Sequence, residues 1–166
     1  MPIKLSKPLE TKRLFIRQFI QEDFTYIVRN LNDHALKNDF QLISDNINND
    51  KFYFLLILRE SDQNLGFIVL QTLEKDEQIE CYYELLSQYT GSGYAIEALK
   101  KIFDYIFTNH KFTKIVAYVD QGNVRGWKVA ERSGMKYMGE FVRNGANAKS
   151  MHFLINKRDF FNQYQF

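Results

Sequence analysis

Eight consecutive residues, Gln88-Tyr89-Thr90-Gly91-Ser92-Gly93-Tyr94-Ala95, carry the strongest chemical signal in this chain. They lie between a strand-like segment, 78–85, and a helical one, 93–109, so a glycine-containing loop runs into a helix N-terminus. That junction can act as an anion cradle. Gly91 and Gly93 let the backbone approach a ligand with no Cβ in the way. The first turn of a helix leaves about four N–H groups without partners, at the positive end of the macrodipole. Phosphate suits both features. An ordinary turn before a helix capped by Ser92 is the plainer alternative. Two phosphate loops are excluded: Gly-Lys-Ser/Thr is missing, and Ile96 stands where a dinucleotide fingerprint needs its third glycine.

The elements that must position this loop follow from periodicity. Residues 14–19 alternate as a strand, and Glu22-Asp23 opens a helix with Phe24, Ile27, Val28 and Leu31 at helical spacing. A looser helix is expected at 35–43, then a polar loop at 44–50. Strands at 52–59, 66–73 and 78–85 are separated by short polar turns and form an antiparallel meander. The 93–109 helix sets Ala95, Ala98, Leu99, Ile102, Phe103 and Ile106 on one face. A strand at 112–119 follows this crossover and is expected parallel to 78–85. A helix at 123–132 ends at Ser133-Gly134, and strands at 136–142 and 150–156 flank a turn at 143–149. The expectation is an α+β domain: a mixed, mostly antiparallel seven-stranded sheet flanked by helices in three layers, one domain over residues 1–166.

Composition agrees. The 166 residues are 45% hydrophobic and 25% charged, ordinary for a packed globular chain. With 22 Lys plus Arg against 20 Asp plus Glu, the net charge of +2 offers no strong field for nucleic acid or an acidic membrane. The longest apolar run, 52–58, is a strand's length and far short of a bilayer span. No signal-peptide core opens the chain. Cys81 stands alone, so no intrachain disulfide can form and a cytoplasmic compartment fits. Cys81 itself reads as strand packing rather than a nucleophile. The 16% aromatic content can support a homodimer as well as a core.

Gln88-x-x-Gly91-x-Gly93 resembles the acetyl-CoA pyrophosphate loop of the GNAT superfamily, whose pattern is Q/R-x-x-G-x-G/A. Leu9-Glu10-Thr11-Lys12-Arg13-Leu14-Phe15-Ile16-Arg17 resembles the first strand of the branch that holds ribosomal-protein N-terminal acetyltransferases. Gln21-Glu22-Asp23-Phe24 is similar to the start of that branch's first helix, and Gly93-Tyr94-Ala95-Ile96-Glu97-Ala98-Leu99 to the helix after the loop. Asn123 with Glu131-Arg132-Ser133-Gly134-Met135 is similar to its N-x-x-S-x-x-x-x-E-K-x-G-F segment.

The resemblance implies an acetyl-CoA-dependent N-acetyltransferase with the GNAT fold and no metal. Its acceptor is a primary amine, on a protein N-terminus or a small molecule. Strands 78–85 and 112–119 would splay to admit the pantetheine arm. Backbone groups of Leu85 and Leu86 would pair with that arm, and those from Gln88 through Gly91, Ser92, Gly93 and Tyr94 to Ala95 would hold the pyrophosphate. An amide near Leu85 would polarise the thioester carbonyl, and Asn123 would orient the cosubstrate. Attack needs a neutral amine, so a general base is required. Glu84 is the first candidate, Glu80 points the same way two pleats back, and His152 is a third; surface or structural roles are the plain alternative for each. Arg125, Lys128 and Arg132 can reach the 3′-phosphate, against a plainer reading as a solvated basic face. Trp127 reads as a core anchor before a cover for the cosubstrate. The chain departs from the family at Gly126 and Ala130, where a Ser and an acidic Tyr often stand. Tyr83 or Tyr94 can replace that acid, or the thiolate leaves unaided. A non-catalytic acetyl-CoA-binding module and a nucleotide-binding protein are the rival readings.

Overall fold

The computed structural model describes residues 3–30, 50–73, 77–142 and 149–163. The expected helix at 35–43 and nearly all of the loop at 44–50 lie outside these residues, as does most of the turn at 143–149.

Strands β1 (Leu9–Glu10) and β2 (Leu14–Gln18) precede helix α1 (Gln21–Asn30), and β3 (Lys51–Leu58), β4 (Asn64–Thr72) and β5 (Gln78–Leu85) form the meander. Helix α2 (Tyr94–Asn109) crosses to β6 (Lys114–Asp120). Then come α3 (Val124–Arg132), β7 (Lys136–Phe141), β8 (Ser150–Asn156) and α4 (Lys157–Gln163). The strands make one sheet in the order β1-β2-β3-β4-β5-β6-β8-β7. Among the described strands only β5 and β6 run parallel, as expected of a helical crossover.

The sheet therefore has eight strands where seven were expected. The extra one, β1, is two residues long and pairs with Phe15 and Ile16 across a tight turn; two residues are too few for a period to appear. Helix α4 was also missed. It is short, and its one buried residue, Phe160, packs against the rings of Phe103 and Phe107.

β3 shows why an unbroken apolar run still makes a strand. Phe52, Phe54 and Leu56 belong to the large core beneath α2, whereas Tyr53 and Leu55 belong to a second cluster with Ile27 of α1. Both faces are covered, so both phases of the alternation are apolar. In α2, Ala98, Leu99, Ile102, Phe103, Ile106 and Phe107 form the buried stripe.

Local chemistry sets the helix ends. Asp23 reaches back to accept from the Ile20 N–H at 2.8 Å while Arg17 grips it with two nitrogens at 2.7 and 3.0 Å. This starts α1 and fastens it to β2. At the end of α3, Gly134 takes φ 98°, its N–H donates to the Glu131 carbonyl and the Met135 N–H to the Ala130 carbonyl. That is the Schellman closure the Ser133-Gly134 pair predicts.

Candidate active site

β5 and β6 pair only from Gln78↔Lys114 to Glu80↔Val116, although β5 continues to Leu85 and β6 to Asp120. Beyond Glu80 the two strands part. On its other side β5 stays bound to β4 as far as Gly66↔Leu85. The Leu86 N–H donates to the Leu65 carbonyl at 2.8 Å, which fixes the phase of that ladder. In an antiparallel pair alternate residues exchange hydrogen bonds, so the even-numbered residues of β5 bond toward β4. The backbone groups of Tyr83 and Leu85 consequently face the opening. Leu86, expected to pair with pantetheine, is out of phase. Its N–H is committed to Leu65, its carbonyl accepts from the Tyr89 N–H, and its side chain packs in the α1-side cluster.

Gly66 lets β4 press close to β5 at the parting. A Cβ there would lie 2.1 Å from the Glu84 carbonyl oxygen and 2.8 Å from the Leu85 Cα.

After β5 the chain makes a 3-10 turn, Ser87–Tyr89, and reaches Gly91 at φ 88° and Gly93 at φ 81°. α2 begins at Tyr94 with Gly93 as its cap, and no side chain caps it. The alternative of a Ser92 cap is thereby corrected: the Ser92 carbonyl instead accepts from Arg13 Nη1 at 2.9 Å. The first intrahelical bond is Glu97 N–H to the Gly93 carbonyl, so the N–H groups of Tyr94, Ala95 and Ile96 have no acceptor within the helix.

The end of β5, the loop and the start of α2 line one cleft of about 370 Å³ with α3 on its other side. Glu84, Leu85, Gly91, Gly93, Tyr94, Ala95 and Asn123 all line it; Leu86, Gln88 and Ser92 do not. Gln88 is exposed in the 3-10 turn. Arg125, Lys128 and Arg132 line the cleft from α3 and are exposed to solvent. Arg125 Nη1 also donates to Thr90 Oγ1 at 2.9 Å, tying α3 to the loop. Sequence reasoning missed Ile96 and Val129, each adjacent in sequence or helical turn to residues it named. It also missed Arg13, whose separation of 79 positions from Ser92 leaves no local signal.

The acid–base candidates divide by sheet face. Glu84 pairs in register with Phe67, and Glu80 with Gln71. Phe67 belongs to the α1-side cluster, so both carboxylates project on that side. Tyr82, on the same face, donates to Glu84 Oε2 at 3.5 Å. His152 stacks on Tyr118 with ring centroids 4.8 Å apart, and Tyr118 meets Phe141 at 4.7 Å. Neighbouring Phe153 and Ala117 belong to the core under α2, which puts His152 and Tyr118 on the side of Glu84. Burial lowers the His152 pKa and keeps the ring neutral at neutral pH. Its Nε2 is buried and has no hydrogen-bond partner among the described residues.

Cys81 faces the α2 core, 2% exposed, and burial pushes its pKa up, as suits packing rather than nucleophilic attack. Tyr83 donates its hydroxyl to the Gly126 carbonyl at 2.7 Å, and burial raises its pKa. Both features make it a poor proton donor to a thiolate. A Cβ at Gly126 would sit 2.7 Å from both Val119 Cγ1 and Asn123 Nδ2, so a larger residue there needs those side chains to shift. Ala130 is fully buried in the core. Trp127 donates Nε1 to the Asp120 carbonyl and packs against the core instead of lining the cleft. Asn123 caps α3, its Oδ1 accepting from the Gly126 N–H at 3.0 Å.

Residues 10–136 match the family profile of the acetyltransferase (GNAT) domain. The chain belongs to the GNAT acetyltransferase family. This GNAT chain is 34% identical over 98 residues to the uncharacterized protein YkkB of Bacillus subtilis, a match that covers 55% of the chain and 57% of YkkB. Among solved structures, a GNAT-family acetyltransferase from Bacillus anthracis superposes with a TM-score of 0.76 at 22% identity, covering 91% of this chain and 99% of that one. The spermidine N-acetyltransferase of Vibrio cholerae in complex with CoA and spermine gives 0.72 at 18%, covering 92% and 100%. At these identities the structural likeness speaks for the fold.

Proposed function

We propose that this GNAT chain transfers the acetyl group of acetyl-CoA to a primary amine by direct attack. One observation carries the reading: the end of β5, beyond its pairing with β6, and the unpaired first turn of α2 line a single cleft. A thioester with a pantetheine arm and a pyrophosphate needs both features, joined in that order. The solved spermidine acetyltransferase with bound CoA supports the same ligand class.

The cleft fits the group. Gly91 borders open space, with no atom within 4 Å of a Cβ built there. The amides from Gly93 to Ile96 and the dipole of α2 hold the pyrophosphate. Arg125, Lys128 and Arg132 supply the charge for the remaining phosphate. The backbone of Tyr83 and Leu85 bonds the amides of the arm as an added strand does. Asn123 has its Nδ2 to offer, since its Oδ1 is taken by α3. Acetyl-CoA when bound supplies an activated acyl carbon and a good leaving group, so the missing Ser and Tyr acids are not needed. The Leu85 N–H stabilises charge on the carbonyl oxygen, a role worth about 3 kcal/mol. Glu84 takes the proton from the incoming ammonium. The acceptor is the amine of a peptide N-terminus or of a small molecule.

Calorimetric titration with acetyl-CoA, beside a Gly91→Trp, Gly93→Trp double variant, tests this. Micromolar binding that the variant loses supports the cleft. A folded wild type that does not bind acetyl-CoA removes the reading. Single-turnover transfer to a panel of peptides and small amines then separates an active enzyme from a module that only binds.

A further inference from the structure

The peptide unit joining Ser92 to Gly93 lies in the middle of the cradle. A trans peptide points its carbonyl and its N–H in opposite directions. The Ser92 carbonyl is held by Arg13 Nη1 at 2.9 Å, and neither Arg13 nor Ser92 lines the cleft, whereas Gly93 does. The carbonyl therefore points behind the loop, and the Gly93 N–H points the other way.

Gly93 itself does not choose this orientation. Gly93 sits at φ 81°, ψ 8°, the values of the third residue of a type II turn. Turning the Ser92–Gly93 peptide over converts that turn to type I, with a φ of about −90° at the same residue. Glycine adopts both at similar cost. In the flipped form a carbonyl oxygen, not a donor, would meet the phosphate.

Arg13 is itself fixed. Its Nε donates to Glu97 Oε1 at 2.9 Å, and its backbone N–H to Glu97 Oε2 at 3.1 Å. Thr11 Oγ1 donates to the same oxygen at 2.5 Å. The guanidinium carbon lies 4.2 Å over the Tyr94 ring. Glu97 belongs to the first turn of α2, so the helix that bears the cradle also anchors the arginine that orients it.

We propose that Arg13, held by Glu97, is a positioning residue that locks the Ser92–Gly93 peptide with its N–H toward the cleft, presetting the cradle for the pyrophosphate. This rests on the reading of the cleft as the CoA site. The alternative is a tie that merely fastens β2 to α2.

The test titrates CoA into wild type, Arg13→Gln and Arg13→Lys, with the Gly93 amide followed by ¹⁵N NMR and Tm recorded for each. The lock predicts that Arg13→Gln binds CoA roughly 10-fold more weakly or worse, the loss of one donor to a charged group. Its Gly93 amide then fails to respond to CoA as the wild type does. Lysine keeps the charge but not the fork that spans Glu97 and Ser92, so Arg13→Lys should fall between the two. If Arg13→Gln fails to fold, Arg13→Lys carries the same comparison. A lowered Tm with wild-type CoA affinity and a wild-type Gly93 response overturns the lock alone. Absence of CoA binding by the wild type overturns both the lock and the functional reading beneath it.

Discussion

Three side chains of the β5–β6–β8 face, Glu84, Glu80 and His152, have the chemistry of a general base, and of these only Glu84 also borders the cleft. Glu84→Gln should therefore lower kcat by about 100-fold or more while leaving acetyl-CoA affinity within about twofold, as read by single turnover and calorimetry. His152 makes a separate, pH-dependent prediction. Its folded pKa lies below the ordinary 6.5 because burial disfavours the charged ring. In that window the unfolded chain binds more protons than the folded one, so stability rises with pH and falls as the solution is acidified below the ordinary value. Replacing the ring with Phe, which keeps the stack on Tyr118, should flatten this loss in denaturant melts compared at about pH 5 and pH 7. Glu97 has the opposite balance. Burial pushes its carboxyl up, and the bonds from Thr11 and Arg13 outweigh that, leaving the pKa below the ordinary 4.5. Its contribution is full above the unfolded value and vanishes as pH drops through the folded one. The wild type and Glu97→Gln should thus converge in stability only in strong acid. At this scale the sequence identified Cys81 and the glycines of the loop correctly in kind, since burial and backbone freedom follow from residue type. It gave no sign of the bond from Arg13 to the Ser92 carbonyl, because nothing local reveals a contact 79 positions away.

At the scale of elements, the site depends on how β4, β5 and β6 lie together. β5 leans toward β4 where Gly66 has no side chain, and away from β6 where the pairing stops after Glu80. Gly66→Ala forces a methyl against the Glu84 carbonyl. Overpacking of this sort costs about 2 kcal/mol, which for a domain of this size lowers Tm by roughly 4–8 °C. The displaced β5 should also narrow the opening, so acetyl-CoA affinity should drop together with Tm. An unchanged affinity would show that the parting of β5 and β6 does not depend on Gly66. The sequence placed the meander, the crossover helix and the parallel strand after it, because alternation and the helical stripe are strong and long in these segments. It put α2 one residue early, at Gly93, since a cap in the left-handed region and a first helical turn look alike in a string of letters. The two-residue β1 and the short α4 carried too few residues for a period.

Across the whole molecule, distant segments hold the two ends of α2. Arg13 from the start of the chain reaches its first turn, and Phe160 of α4 presses on Phe103 and Phe107 near its other end. Phe160→Ala should lower unfolding stability by about 3–5 kcal/mol. Binding measured on the folded fraction should stay as it was, because Phe160 lies outside the cleft. Among the described residues no helix is long and apolar enough to cross a membrane, and no group of three His, Cys, Asp or Glu could hold a metal ion.

The residues alone determined the class of fold and the glycine loop that leads into α2, because hydrophobic period and a glycine loop before a helix are local and act through the backbone. They also named Glu84 and the basic residues of α3. Only the tertiary structure decided which of these face one cleft. The phase of the β4–β5 ladder turned the Leu85 backbone toward the opening and that of Leu86 away. The close pass of Val119 and Asn123 left no free space for a side chain at Gly126, and the Gly126 carbonyl engaged the Tyr83 hydroxyl. Arg13 came to the loop through pairing with Glu97, a contact between residues 84 positions apart. Each of these outcomes depends on one segment meeting another far away in the chain, and such meetings leave no period in the sequence.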